Sequence, residues 1–182
     1  MNSPGILALF GSIAIGMMLA ANLAWGENPI IQNGDFEKGS EGWAPTQGAT
    51  IVAEDGNQFF RLEAAPDAGQ VQVYRKVSLP TGFQSITVSF RVRYSNLTPG
   101  AESWHTGRVI MHFKDAEGNI LKPDPQPFVF KGDSDGWVEK SKQINIPEGA
   151  TSFELMPALF QVASGTLDID DISVVPSEET AP

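Results

Sequence analysis

The stretch Ile86-Thr87-Val88-Ser89-Phe90-Arg91-Val92-Arg93-Tyr94 alternates apolar and polar residues over its first eight positions and ends on an aromatic residue. Successive side chains of a β-strand point to opposite faces, so one face of this segment is apolar and the other is polar and charged. In a helix the same residues would be scattered around the axis. The segment therefore predicts a strand that covers a hydrophobic core with one face only.

The same alternation recurs along the chain and predicts strands over residues 70–79, 108–114, 137–146, 152–161 and 167–175. Turn-forming residues separate them, with a hairpin turn predicted at 115–119 and a loop at 133–136. The residues predicted to face inward include Val71, Val73, Val77, Leu79, Val109, Met111 and Phe113. Short strands at regular spacing favour an all-β fold, a single β-sandwich or jelly roll.

The two ends of the chain differ from its middle. Residues 6–24 are almost all apolar and Ala24-Trp25-Gly26 suits signal peptidase, so residues 1–26 are predicted to be an export leader. No Lys or Arg precedes the apolar run, which is long enough to anchor the chain in a membrane if it stays uncut. We expect one domain over residues 29–175, a disordered acidic tail over 176–182, and a secreted or periplasmic protein.

The 182-residue chain has 22 acidic and 12 basic residues, a formal charge of −10 that falls entirely outside the leader. This charge argues against nucleic acid and against anionic membrane surfaces as partners, because both require clustered Lys and Arg. It is compatible with neutral ligands or bound cations. The chain has no cysteine, which excludes disulfides and a lipid-modified N-terminal cysteine.

Two motifs about 130 residues apart mark the domain's ends: Asn33-Gly34-Asp35-Phe36-Glu37, with Gly42-Trp43 after it, and Leu167-Asp168-Ile169-Asp170-Asp171-Ile172-Ser173-Val174-Val175. We predict that they form the opening and closing strands of the sandwich. With the short strand predicted at 56–62, they resemble bacterial carbohydrate-binding modules of families 4, 9 and 22. The resemblance implies a galactose-binding-like jelly roll that binds a polysaccharide of the β-glucan or xylan class. Since no hydrolase sequence accompanies it, the partner glycoside hydrolase is expected to be encoded elsewhere.

The resemblance also implies a structural calcium ion between the terminal motifs. Its ligands would be Glu37 and Asp170 or Asp171, with Asp35 contributing its carbonyl or its side chain. Calcium accepts six to eight oxygens in irregular geometry, which suits such a set. The alternative is that these acids cap turns and stay solvated. Zinc is not expected, because the sequence has two histidines and no cysteine.

A sugar-binding surface needs aromatic faces beside fixed hydrogen-bonding groups on a rigid scaffold. Strand alternation predicts such a mixture on the outer sheet face, unless that face is simply hydrated or a bulge swaps the two faces. The predicted set is Gln72, Tyr74, Arg91, Arg93, Arg108, His112 and Glu154.

The tryptophans divide by sequence context. Trp43 and Trp137 are predicted to be structural. Trp104 lies in a polar loop with no alternating strand to bury it, so it is the predicted stacking platform for a sugar. His105 beside it either donates to a hydroxyl or only hydrogen-bonds the loop.

Catalysis is the main rival to binding. Glycoside hydrolysis needs two carboxylates facing each other, and Glu154 with Glu63, Glu102 or Glu139 would supply them, but no spacing selects a pair. A jelly-roll lyase using Arg, His and Tyr is a further alternative, as is an adhesion or structural module that binds protein. We predict a non-catalytic binding module.

Overall fold

A computed structural model describes residues 29–64 and 69–177. The predicted leader, and all of the predicted tail after Ser177, lie outside these residues. The described chain forms ten antiparallel strands in two five-stranded sheets. Within these two ranges, no helix is long and apolar enough to cross a membrane.

The two sheets interleave in sequence. Sheet I has the spatial order β1 (Ala44–Pro45), β4 (Gln70–Ser78), β9 (Ser152–Phe160), β6 (Gly107–Lys114) and β7 (Phe128–Phe130). Sheet II has the order β2 (Ala49–Glu54), β3 (Asn57–Glu63), β10 (Ser164–Ser177), β5 (Ser85–Thr98) and β8 (Val138–Asn145). The predicted all-β sandwich is therefore confirmed. Strands β1, β2 and β7 were not predicted.

The core lies between the inner faces of the sheets, where the alternating apolar residues of both meet. Val73, Met111 and Leu155 from sheet I are buried, as are Phe90 and Ile169 from sheet II. Burying each such side chain contributes roughly 1.5–3 kcal/mol. The predicted inward faces of β4, β5 and β6 are confirmed.

The prediction of an opening strand at residues 33–37 is wrong, because this segment is a series of turns. Asn33 adopts a positive φ of 56°, and its amide side chain donates to the carbonyls of Gly39 and Glu41 at 3.0 and 2.9 Å. Phe36 is completely buried and packs edge-on against Trp43 and Phe60. The motif is therefore a turn that places one aromatic ring in the core.

The closing motif belongs to β10, which continues through Ser177 by pairing with β5. The tail predicted to start at residue 176 is thus wrong for its first two residues. A bulge between Asp170 and Ser173, with Asp171 at a φ of 49°, shifts the inward positions from Ile169 to Ile172. Apolar residues therefore stay inside on both sides of the bulge.

The two terminal motifs lie side by side, as predicted. The amide of Ile172 donates to the carbonyl of Gly34 at 2.8 Å, and the amide of Ile30 donates to the carbonyl of Val174 at 2.8 Å. Gly34 is required here, since a Cβ at this position would lie 1.8 Å from the carbonyl oxygen of Ile172. Backbone pairing thus joins the start of the described chain to its last strand.

Candidate functional site

The outer face of sheet I brings together five of the predicted ligand-binding residues, namely Gln72, Tyr74, Arg108, His112 and Glu154, which alternate with core residues on β4, β6 and β9. The strand register sets their arrangement. Ala158 lies between Gln72 and Arg108, and Glu154 lies between Lys76 and His112. These rows bring groups far apart in sequence onto one surface.

Glu154 is the buried charge of this face, at 5% exposure. It accepts hydrogen bonds from the Tyr74 hydroxyl at 2.5 Å and from the Lys114 ammonium at 2.9 Å. Burial alone would raise the pKa of Glu154, but these two donors hold it below its ordinary value. Burial and the bond to Glu154 raise the pKa of Tyr74 to about 12. Tyr74 is therefore a neutral hydrogen-bond donor that Glu154 holds in place.

His112 marks the rim of the same face. Its Nδ1 lies 3.1 Å from Asp124, which also contacts the ammonium of Lys122. Burial opposes ionisation of Asp124, but the bonds from Lys122 and His112 lower its pKa overall. Asp124 was not among the predicted site residues, because it lies in the connection between β6 and β7, where strand alternation gives no information.

The loop before β6 carries Trp104, whose exposure of 51% agrees with its predicted position on the surface. Hydrogen bonds within the loop hold His105, whose amide donates to the Glu102 carbonyl and whose Nδ1 accepts from the Glu102 amide. The ring centroids of Trp104 and His105 are 5.7 Å apart, and those of His105 and Phe160 are 5.9 Å apart. These three rings form a strip, hereafter the aromatic strip, that continues onto sheet I.

Glycine makes the loop's position possible. A Cβ at Gly100 would lie 2.0 Å from the carbonyl of Gln161 and 2.9 Å from the Cβ of His105. Gly100 also donates its amide to the His105 carbonyl at 3.0 Å. The loop is therefore closed tightly against the end of β9, which holds the aromatic strip beside Arg108, 5.8 Å from the Phe160 ring.

Arg91 and Arg93 do not join this face, so the prediction of one shared surface is wrong. Both lie on β5, which the strand order places in sheet II, and they point from its outer face. Arg93 and Arg61 donate to Asp168 through bonds of 2.7–3.0 Å. Arg91 donates to Asp170 at 2.8 Å.

Aromatic rings cover these arginines. The guanidinium of Arg93 lies 4.9 Å from the Trp137 ring and 5.3 Å from the buried ring of Phe59. That of Arg91 lies 5.4 Å from Trp137. A carboxylate neutralises the charge of each arginine, so the outer face of sheet II is an ion-pair network. Trp137 packs against the arginines of this network, which agrees with the structural role predicted for it.

Three of the four acids predicted to bind calcium already have protein partners. Glu37 accepts a hydrogen bond from the Gln58 amide at 2.8 Å, and buried Asp170 accepts from Asn57 at 2.9 Å as well as from Arg91. Desolvation and the charge of Asp171 raise the pKa of Asp170 despite these bonds. Glu37 and Asp170 therefore already have protein partners, and so does Asp171, whose carboxylate lies 2.6 Å from the Nε of Arg91.

Asp35 and Asp171 line a cavity of about 330 Å³ together with Gly34 and Ser173. The hydroxyl of Ser173 is buried without a hydrogen-bond partner in the described chain. Within residues 29–64 and 69–177, no three His, Asp or Glu side chains are grouped to hold a metal. A cation here would depend on carbonyl, hydroxyl or water oxygens as well, which calcium accepts.

A larger cavity, of about 720 Å³, lies at one end of the sandwich between the β4–β5 and β8–β9 connections. Phe83, Gln143 and Asn145 are among its lining residues. Sequence reasoning used these connections only as turn signals, so it missed the cavity. It is an alternative place for a ligand, to be distinguished from the sheet I face by experiment.

No protein-family model and no curated protein matches the chain. Solved structures do. The tailspike protein 4 enzymatically active domain of bacteriophage CBA120 matches with a TM-score of 0.63 and 15% identity over 82% of this chain, which spans 21% of that structure. "Family 16 Carbohydrate Binding Module-2" matches with a TM-score of 0.57 and 21% identity over 81% of this chain and 99% of the module.

A family 61 carbohydrate-binding module in complex with beta-1,4-galactotriose matches with a TM-score of 0.54 and 16% identity, over 82% of this chain and 99% of the module. At these identities the likeness concerns the fold. The chain has the jelly-roll fold found in carbohydrate-binding modules, as its sequence motifs predicted.

Proposed function

We propose that the protein is a non-catalytic module that binds a polysaccharide across the outer face of sheet I. The observation that supports this most is the exposed Trp104 in an aromatic strip continuous with Arg108, Gln72 and Tyr74. An aromatic face stacks on the C–H surface of a sugar ring, and fixed polar groups bond its hydroxyls. The galactotriose-bound structure is a precedent for such a ligand on this fold.

The finer parts of this proposal come from the sequence. The ligand is a β-glucan or xylan, and the leader exports the protein to the periplasm or the exterior, with membrane attachment only if the leader is uncut. There the module acts with a glycoside hydrolase encoded elsewhere.

The distribution of carboxylates supports binding over hydrolysis. The five strands of sheet I contain one acidic residue, Glu154, and it is already bonded to Tyr74 and Lys114. Glycoside hydrolysis requires a second carboxylate across the scissile bond, about 5–10 Å away. Of the three partners considered from the sequence, Glu63 and Glu139 lie on sheet II, and Glu102 lies in the loop before β6 rather than on a strand of sheet I. Asp124 at the rim is already bonded to His112 and Lys122.

Replacing Trp104 with alanine tests the binding face. We expect retention on xylan or β-glucan in affinity electrophoresis to fall about tenfold, equivalent to about 1.4 kcal/mol, because a stacking surface is lost. The melting temperature should change little, since half of the side chain is exposed.

Phe83→Ala is the matched control, because it removes an aromatic ring from the cavity at the end of the sandwich instead. Its retention should equal that of the unmodified protein. Full retention of the Trp104 variant with loss for the Phe83 variant would move the site to that cavity and contradict the proposed face.

We also propose a structural calcium ion at the terminal motifs, with ligands from Asp35, Glu37, Asp170 and Asp171. The cavity beside Asp35 and Asp171 and the unpartnered Ser173 hydroxyl support it. When bound, the ion would neutralise neighbouring carboxylates and link the two motifs.

Calcium removal tests this ion. We expect EDTA to lower the thermal midpoint, excess calcium to restore it, and Asp171→Asn to abolish the difference. Glu41→Gln, an exposed acid in the same turn region, is the control and should keep the EDTA effect. An identical midpoint with EDTA and with calcium would remove the ion from the proposal.

A further inference from the structure

Arg108 differs from the other four arginines in lacking a strong partner. Arg61, Arg91 and Arg93 form ion pairs with buried carboxylates. Arg75 donates to the carbonyl of Gly42. The Nε of Arg108 donates to the Thr106 hydroxyl at 3.0 Å, and in the described chain its two terminal nitrogens have no hydrogen-bond acceptor.

The position of Arg108 directs it toward the proposed ligand. Thr106 is almost fully buried, so the bond to it fixes the inner side of the guanidinium, while Arg108 as a whole is half-buried. The Phe160 ring lies 5.8 Å away on the neighbouring strand. The free edge of the guanidinium is thus held beside the aromatic strip, on the face where the polysaccharide is proposed to lie.

The charge of this face is opposite to that of the whole chain. The outward positions of β4, β6 and β9 carry three permanent cations, Lys76, Arg108 and Lys114, against one carboxylate, Glu154. At the rim, Lys122 and Asp124 offset each other, and Glu102 in the Trp104 loop adds a second carboxylate, so the face keeps a net positive charge. Yet the protein's formal charge is −10. A locally cationic surface on an acidic protein favours an anionic ligand at that surface, because nearby charges dominate over screened distant ones.

We propose that the polysaccharide carries carboxylate groups, as a uronate-bearing xylan does, and that Arg108 binds that carboxylate. This inference rests on the proposed function. A planar guanidinium with two free terminal nitrogens matches a carboxylate through paired, charge-assisted hydrogen bonds. The sugar ring that carries the carboxylate then lies against Phe160 and the rest of the aromatic strip.

The test compares two polymers with one backbone: glucuronoxylan, and the same glucuronoxylan after chemical reduction of its carboxylates to alcohols. Binding is measured by isothermal titration at 50 mM and 500 mM NaCl. At 50 mM NaCl we expect the unmodified protein to bind the acidic polymer about tenfold more tightly than the reduced polymer. At 500 mM NaCl its binding to the acidic polymer should be weaker than at 50 mM, because salt screens the charges. Arg108→Gln should bind both polymers equally.

Lys38→Gln is the matched control, because it removes one positive charge from the turn region of the opening motif, away from sheet I. It should keep the preference for the acidic polymer. Circular dichroism and the melting temperature of the Arg108 variant establish that it is folded, and Arg108→Lys, which keeps the charge but not the planar fork, should recover part of the preference.

The outcomes distinguish a failure of uronate recognition from a failure of polysaccharide binding itself. Equal binding of both polymers by the unmodified protein, or an unchanged preference in Arg108→Gln, would overturn the uronate assignment and leave polysaccharide binding intact. Tighter binding of a sulfated glycan of matched charge density would replace carboxylate by sulfate and also overturn it. Binding of neither acidic nor neutral polymers would overturn the proposed function itself.

Discussion

Replacing Asp168 with alanine is expected to lower the free energy of unfolding by about 3 kcal/mol and the melting temperature by about 10 °C. Asp168 is 3% exposed and accepts hydrogen bonds from both Arg61 and Arg93. Its loss leaves two guanidiniums without their main counter-charge on the outer face of sheet II. Breaking a buried ion pair by removing one partner costs roughly 3–5 kcal/mol, and partial exposure of the arginines places this case at the lower end.

The control uses the same arginine and a different acid. Glu54 also pairs with Arg93, at 2.9 Å, but its side chain is 50% exposed. Glu54→Gln should change stability by no more than about 0.5 kcal/mol, since exposed ion pairs contribute little. Chemical denaturation of both variants measures the difference. Equal losses for Asp168→Ala and Glu54→Gln would show that burial does not determine the contribution of this network.

Gly34→Ala is expected to lower the free energy of unfolding at least as much as Asp168→Ala, by about 3 kcal/mol or more, or to prevent folding. The added Cβ would lie 1.8 Å from the carbonyl oxygen of Ile172, a backbone atom that belongs to the bulge of β10. Relieving that clash must separate the turn from β10 and break the hydrogen bond from the Ile172 amide to Gly34. Overpacking and a lost buried hydrogen bond each cost roughly 1–3 kcal/mol.

Gly56→Ala separates this clash from the general cost of replacing a glycine. Gly56 has a φ of 82° but open space around its Cβ position. Its replacement should therefore cost only the left-handed penalty, roughly 1–2 kcal/mol. Thermal unfolding compares the two. If the Gly34 variant were as stable as the Gly56 variant, the opening turn could move away from β10 without loss of stability, which would contradict this prediction.

The sequence predicted some strands more accurately than others. Strands β4, β5 and β6 each present one face to the core and one to solvent, so alternation located them within a few residues. The two-residue β1 and three-residue β7 are too short to show a period. The turn at Asn33 was mistaken for a strand, because its conformation depends on side-chain hydrogen bonds and on the burial of Phe36.

The candidate site was predictable only in part for a related reason. Alternation tells inward from outward residues, and it placed both Arg93 and Arg108 outward correctly. It does not tell which sheet a strand joins. Strand β5 pairs with β10 and β8, whereas β6 pairs with β9, so the two arginines lie on opposite surfaces of the sandwich. That assignment depends on contacts between residues 38 or more positions apart.

Sheet I ends on both sides in very short strands, β1 with Pro45 and β7 with three residues. Long edge strands expose rows of unpaired amides and carbonyls that can recruit another chain, and proline and short length both suppress such pairing. The sheet that carries the aromatic strip is therefore poorly suited to growing by edge-to-edge addition of a second copy. Many molecules bound close together along the proposed polysaccharide should consequently not aggregate through the edges of this sheet.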